Sequence, residues 1–467
     1  MYSTFGGIET ARRALFAQQR VLDVTGHNIA NADTPGYSRQ RVTLSATRPI
    51  PAIGFQRTPG AGQIGTGVEV AAIKRQTDAF VEAEIQREIS DFGYWSQRYE
   101  ILHQLEVTMM EPSDVGIQAA LDKYWDALQG LHKDPSSMAA RSVVREQAAV
   151  LTETIRHIRQ NLTPLQRELD AAIRRNVIHL NSLGQQVAAL NAEIAQARSI
   201  GYEPNDLLDR RALLVKEMSE IAGVTVAPRA QGMIAVSIGG ITLVDGTEFR
   251  QMQLIDNPQR DGLVRIAWDG LDRDVNFQGG QMRALMEGRD ELIPQQMADL
   301  DAFAKELIER TNEVHRQGYG LGGTTGHNFF AGSDARDIRL SDDISDLRNI
   351  AASADGSPGD GTNALELARL KQEKILENGT TSLGEFYSSI ISRLGVQGQK
   401  AERMQEHQGV VMQHLTMLRE SVSGVNFDEE MSNIVMAQHA YVAAARVMSA
   451  LDEALETLIT RVGIVGR

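Results

Sequence analysis

Residues 151–194, LTETIRHIRQNLTPLQRELDAAIRRNVIHLNSLGQQVAALNAEI, decide the broad class of fold. Their apolar residues are Leu151, Ile155, Ile158, Leu162, Leu165, Leu169, Ile173, Val177, Leu180, Leu183, Val187, Leu190 and Ile194, separated by threes and fours throughout. That period marks one face of a helix and suits a seam against other helices, with a small irregularity near Ile173. The helical pattern spans residues 136–198, with Pro164 as a candidate break or kink. At 1.5 Å per residue, about sixty residues make a rod of roughly 90 Å. Such a rod belongs to an elongated molecule.

Toward the N-terminus the pattern predicts helices over residues 116–132 and 78–110, the latter capped by Asp78 and closed by Glu111-Pro112. Residues 31–73 read as irregular and extended, with a short strand at 67–73. Residues 3–30 read as a helix whose Ile8, Leu15, Leu22 and Ile29 recur every seven residues. Toward the C-terminus, residues 224–277 hold short β-branched runs separated by Gly239-Gly240, Asp245-Gly246, Asn257-Pro258 and Asp269-Gly270. Those dipeptides signal turns and hairpins. A small β domain inserted between helices follows, whose removal is expected to leave the rest folded. Helix resumes over 281–316, about 363, and 382–421, with a mobile acidic loop expected at 355–361.

The last segment carries a second narrow stripe. Met431, Ile434, Gln438, Tyr441, Ala445, Met448, Asp452, Leu455, Ile459 and Val462 alternate at threes and fours, with Gln438 and Asp452 as polar interruptions. A stripe so narrow seeks another helix, and the chain's other narrow stripe lies at its opposite end. Residues 1–75 carry nine Lys and Arg against four Asp and Glu, and residues 425–467 carry three Arg against six acids. Opposite signs either steer pairing of the two ends or only keep two solvated faces soluble. The fold class is therefore mainly α with a small β domain: an elongated multi-domain rod, its terminal helices paired as a coiled coil. Both ends are expected to be loosely helical in the free chain, because isolated helices are marginal in water.

Composition removes several functions. The 467 residues carry a formal net charge of −14, which argues against nucleic acid as the main partner. Cysteine is absent, so disulfides, thiolate nucleophiles and Cys-ligated metals are excluded. No apolar run of transmembrane length and no cleaved secretory signal is read, so membrane insertion is not expected. Gly60–Gly65 and Gly318–Gly323 match the dinucleotide fingerprint, but the first precedes a strand pattern and the second follows a helix, so both read as loops. The ten histidines form no metal-ligand spacing, and neither a Walker nor a G-x-S-x-G sequence occurs. The chain reads as a non-enzyme without cofactors.

Several segments, in order, resemble the flagellar axial proteins. The stretch from Asp23 to Tyr37, DVTGHNIANADTPGY, looks like the motif shared by rod, hook and hook-associated proteins, with Asn28, Asn31, Thr34, Pro35, Gly36 and Tyr37 at its centre. Ser38-Arg39-Gln40, Asn205-Asp206-Leu207-Leu208-Asp209-Arg210-Arg211, residues 312–319 and residues 423–430 resemble landmarks of the hook-associated protein 1 (FlgK) family. That resemblance implies domains at 1–65 with 425–467 (an inner terminal-helix pair), 66–221 with 286–424 (a helical body), and 222–285 (an outer β domain). It also implies a ring-forming homo-oligomer at the hook–filament junction, outside the cell, exported through the flagellar type III apparatus without a cleaved signal. Expected partners are further copies of the chain, the hook protein, the second hook-associated junction protein and the export chaperone FlgN, which would hold the C-terminal segment. A paralogous axial protein is the nearest alternative, and a non-flagellar coiled-coil interaction protein a more distant one.

Overall fold

The computed structural model describes residues 5–49, 65–111, 113–260, 262–271, 273–376 and 380–461. Helix α1 (Gly6–Ala30) leads into a β-hairpin of β1 (Gln40–Ala46) and β2 (Val68–Arg75). Three helices follow: α2 (Ala79–Met109), α3 (Ile117–Lys133) and α4 (Met138–Ser199). The Asp78 carboxylate caps α2 by accepting from the backbone N–H groups of Phe80 and Val81, at 2.8 and 3.3 Å. Ser137 caps α4 in the same way.

Helix α4 is one unbroken element of 62 residues, so Pro164 neither ends nor splits it. A proline inside a helix costs about 3 kcal/mol. Thirteen seam residues oppose that cost, from Leu151 to Ile194, and none is more than 7% exposed. They pack against α3, α5 (Asn205–Ala222), α6 (Gly280–Glu287) and α7 (Ile293–Gln317), with a π turn at Gly288–Leu292 joining the last two. After α8 (Thr362–Arg369) and a small hairpin pairing Lys374–Leu376 with Thr381–Ser382, helix α9 (Leu383–Ser423) returns along α2. A reciprocal capping box between Ser382 and Glu385 starts α9. Helix α10 (Phe427–Arg461) then lies along α1.

The inserted β region lies directly on the helices. Strands β3 (Thr225–Pro228), β4 (Ile234–Ile238), β5 (Ile241–Asp245) and β6 (Glu248–Phe249) form one antiparallel sheet, and β7 (Met252–Asp256) pairs with β8 (Val264–Trp268). Val236, Ile238, Leu243, Val244, Met252, Val264 and Ile266 belong to the same buried cluster as the α4 seam from Leu151 to Val187. Three polar residues of α4 pin the strands to it. Asn181 donates to and accepts from the Met252 backbone at 2.8 and 2.9 Å. Asn191 donates to the Ile234 and Gly246 carbonyls, and Asp170 accepts from the Val264 N–H. Gly184 lets the sheet approach: a Cβ there would stand 2.7 Å from the Phe249 ring. The β region thus shares the buried core of the helices.

Two further expectations change. The loop at 355–361 is tied down: the Asp360 carboxylate accepts from the Ala354 and Thr362 N–H groups and from the Ser353 and Thr362 hydroxyls. One window within residues 383–460 is long and apolar enough, by length and composition, to cross a membrane, where the sequence reading saw none. Its source is the alanine-rich α10, whose apolar residues surround the helix instead of forming one run.

Candidate functional site at the terminal-helix joint

The residues of the 23–37 motif meet both ends of the chain and the helical body at one buried polar joint. Asn28, 1% exposed, uses its whole amide there. Its Nδ2 donates to the Gln40 carbonyl at 2.9 Å and to Glu430 Oε2 at 2.8 Å. Its Oδ1 accepts from the Tyr37 hydroxyl at 2.8 Å and the Gln40 N–H at 2.9 Å. The orientation of the amide follows from those partners. Burial raises the Tyr37 hydroxyl above the usual phenol range, and the carboxylates of Asp206, Asp209 and Glu430 push it further.

The turn that delivers Tyr37 is built by its neighbours. Asn31 Nδ2 donates to the His27 carbonyl, the Thr34 hydroxyl donates to Asn31 Oδ1, and the Tyr37 N–H reaches the Thr34 carbonyl. Gly36 has a φ of 80°, in the left-handed region that favours glycine, and packs against Leu213 of α5. Pro35 is exposed and sits inside this turn.

Arg39 then crosses to α10. Its guanidinium forms a two-pronged pair with Glu429, at 3.0 and 2.8 Å, and reaches Glu430 at 2.6 Å. That hydrogen bonding holds the Glu429 carboxyl below its ordinary value. The Arg39 N–H also donates to the carbonyl of Ser423 at the end of α9. On the body side, Asp209 accepts from the Ser38 N–H at 3.0 Å and from Arg75 at 2.7 Å. Asn205 donates to Gln40 Oε1 and to the Ile73 carbonyl, and Gln40 donates to Asp206. The joint is a set of mutually satisfied hydrogen bonds that ties the two ends of the chain to the body.

The helical stripes sit differently from their sequence assignment. Ile8, Leu15, Leu22 and Ile29 are each half-buried, while full burial on α1 falls on Ala11, Ala17, Val24, Thr25 and Asn28. The reason is that α1 is wedged between α10 and the β1–β2 hairpin, so it buries two faces. On α10, Ile434, Met448 and Leu455 are half-buried, but Tyr441, Met431 and Ile459 are 38%, 42% and 75% exposed. Met431 and Ile459 therefore stand outside the intrachain seam; Val462 lies outside the described residues. The inward line runs Glu430, Ile434, Ala437, Met448, Leu451, Leu455, with Leu451 against Gly7 and Ala437 only 3% exposed. Gln438 and Asp452 face outward and interrupt nothing. Sequence reasoning missed Glu430 and Ala437, because a stripe that includes Met431 looks more apolar than one shifted by a single residue.

The second landmark, residues 312–319, organises a separate corner. Asn312 clasps the Phe329–Phe330 backbone at 2.8–2.9 Å. His315 accepts the Ala351 N–H on Nε2 and so donates from Nδ1 to the His327 carbonyl. Burial pushes its imidazole down to about 4. Gly318, at the start of the second fingerprint-like stretch, is filled by Asn363, which leaves no phosphate cradle. Among the described residues no group of acids and histidines could hold a metal.

Comparison with known proteins agrees with this geometry. Three family models match: the flagella basal body rod protein over residues 8–37, the FlgK helical domain over 102–330, and the flagellar basal body rod FlgEFG protein C-terminal over 419–461. The chain is similar to flagellar hook-associated protein 1 of Escherichia coli K12, at 23% identity over 97% of this chain and 99% of that one. It shares the fold of the flagellar hook junction protein FlgK from Burkholderia pseudomallei, with a TM-score of 0.65 and 17% identity over 73% of this chain and all of that one. To flagellar hook-associated protein 1 of Bacillus subtilis 168 it is 34% identical over the full length of both. Sequence, domain order and fold together place the chain in the flagellar hook-associated protein 1 (FlgK) family, structural proteins of the flagellum and not enzymes.

Proposed function

We propose that this protein forms a ring at the tip of the hook, on which the second junction protein and then the filament assemble. The observation that carries the reading is the joint. Residues 27–40 from one end, 429–430 from the other and 205–209 from the body close on one another, so the paired ends and the body hold a fixed relative orientation. A subunit between two lattices needs that property, because each neighbour binds a different part of it. The reading assigns 1–65 with 425–467 to an inner terminal-helix domain, 66–221 with 286–424 to the body, and 222–285 to its outer wall. The motif residues act as the latch between the first two. Ile8, Leu15, Leu22, Ile29, Ile434, Tyr441, Met448, Leu455 and Val462 serve the helix pair, and Met431 and Ile459 serve contacts between subunits.

The same reading implies export through the flagellar type III apparatus, with FlgN on the C-terminal segment, and a final place outside the cell. Its neighbours are further copies of itself, the hook protein and the second junction protein. Deleting the gene should give hooks without filaments and filament protein in the medium, and labelled protein should restore motility and mark the hook–filament boundary. Labelling along the rod or the length of the hook would overturn the junction assignment.

A further inference from the structure

We propose that the hairpin of one copy docks, head to tail, onto the far end of α10 of the next copy; this rests on the reading of the chain as an axial subunit. The hairpin's outward face carries Arg41 directly opposite Lys74 in the β1–β2 register. Both are exposed and neither makes an ion pair among the described residues; the Arg41 charge acts on Glu429, but Arg39 already holds that carboxylate. Like charges directly opposite in a ribbon repel. Near the other end of α10, Asp452, Glu453 and Glu456 are exposed and likewise make no ion pair among the described residues. Asp452 and Glu456 are four residues apart and Glu453 and Glu456 three, which is again like-charge repulsion on one helix. Each cluster is locally unfavourable in the single chain, and each offers what the other lacks.

The two clusters cannot meet within one chain. Glu430 holds the start of α10 at the joint beside the hairpin. Glu453 lies 23 residues further along the helix, roughly 35 Å away at 1.5 Å per residue. A second copy displaced along α10 brings them together. The outer side of α10 between them is partly apolar, with Val435 and Val442 each 47% exposed, so such a contact would also cover hydrophobic surface. Two different surfaces in contact make a heterologous interface, which repeats in a ring or helix instead of closing as a dimer.

The absence of native cysteine permits a direct test. Flagella would be isolated from cells carrying Lys74→Cys, Glu453→Cys, or both in one chain, and treated with a short bis-maleimide. The expected result is dimers and higher multimers of this protein with the double variant and none with either single variant. Incorporation of the double variant into motile flagella without multimers would overturn the head-to-tail contact while leaving the junction reading intact. Dimers with one single variant would also overturn it, by showing like surfaces in contact. Absence of every variant, and of the unmodified protein, from isolated flagella would defeat the junction reading as well. As a second measurement, Arg41→Glu with Lys74→Glu should lower incorporation several-fold, and adding Asp452→Lys, Glu453→Lys and Glu456→Lys should restore it. Unchanged incorporation with the first pair, or no restoration with all five, counts against the contact.

Discussion

Asn28 illustrates what a single side chain contributes when every atom has a partner. Its four hydrogen bonds connect α1, β1, the turn and α10. Asn28→Ala would leave Glu430 and the Gln40 backbone short of partners in a buried place, at a cost of about 3 kcal/mol. Asn28→Asp should be worse near neutral pH, because it replaces a donor with a second carboxylate against Glu430. Thermal melts of the two variants at pH 5 and 7 check this, and equal melting temperatures for Asn28→Asp and wild type would refute it. The motif was legible in the sequence through its resemblance, but its partners were not. Glu430 lies 402 positions away, and nothing in local spacing points there.

His315 supplies a pH dependence at the same scale. Its folded pKa is about 4, below the ordinary value of 6.5, because burial disfavours the imidazolium. Between those values the unfolded chain binds more protons, so stability is full above about pH 6.5 and is lost as pH falls toward 4. The largest loss is roughly 3 kcal/mol. His315→Gln should melt lower than wild type at pH 7, yet show a smaller drop between pH 7 and 4.5. A drop as steep as that of wild type would show that other groups govern acid sensitivity.

Among elements, α4 and α10 contrast in how fully their sequences declared them. All thirteen seam positions of α4 are buried, since a long helix enclosed by others buries whatever apolar stripe it has. Helix α10 touches chiefly one partner, α1, so its stripe leaves the register ambiguous by one residue. The structure resolves this at Ala437, 3% exposed, beside the exposed Gln438. Ala437→Asp should cost about 3 kcal/mol by burying a carboxylate and should separate α10 from α1, whereas Gln438→Asp should be nearly neutral. Helical circular dichroism with a gel-filtration profile would distinguish them, and equal effects would mean that the inward face is wrongly assigned. For the β region, turn signals gave the strands, but periodicity could not tell which surface they cover. Asp170, Asn181 and Asn191 on α4 answer that by holding β8, β7 and β4. Replacing residues 224–280 by a Gly/Ser linker should therefore cause aggregation or abolish cooperative melting. A soluble, cooperatively melting remainder would restore the independent-domain picture.

Across the whole molecule, stability is unevenly distributed. The body carries the large aliphatic and aromatic core, whereas α1 and α10 meet through alanines, half-buried residues and the polar joint. Segments with few buried apolar contacts open first. Hydrogen exchange on the free chain should show α1 and α10 exchanging well before α4, and matched protection would contradict that gradient. Rod-like character was readable from the length of the α4 pattern. The shared core of helices and strands was not, because it depends on contacts between residues 43 to 94 positions apart.

The meeting of Asn28 with Glu430 also sets an order in time. Helix α1 precedes its partner α10 by the whole of the body. While a ribosome, or a channel passing the chain end-first, still holds the C-terminal segment, α1 has no partner. Contacts so distant in sequence carry the largest closure entropy unless something nearer has already drawn the ends together. The body does this, by setting β1 and the end of α9 side by side through Arg39 and Ser423. The surfaces of the α1–α10 pair therefore form only after α10 is free and the body between them has folded.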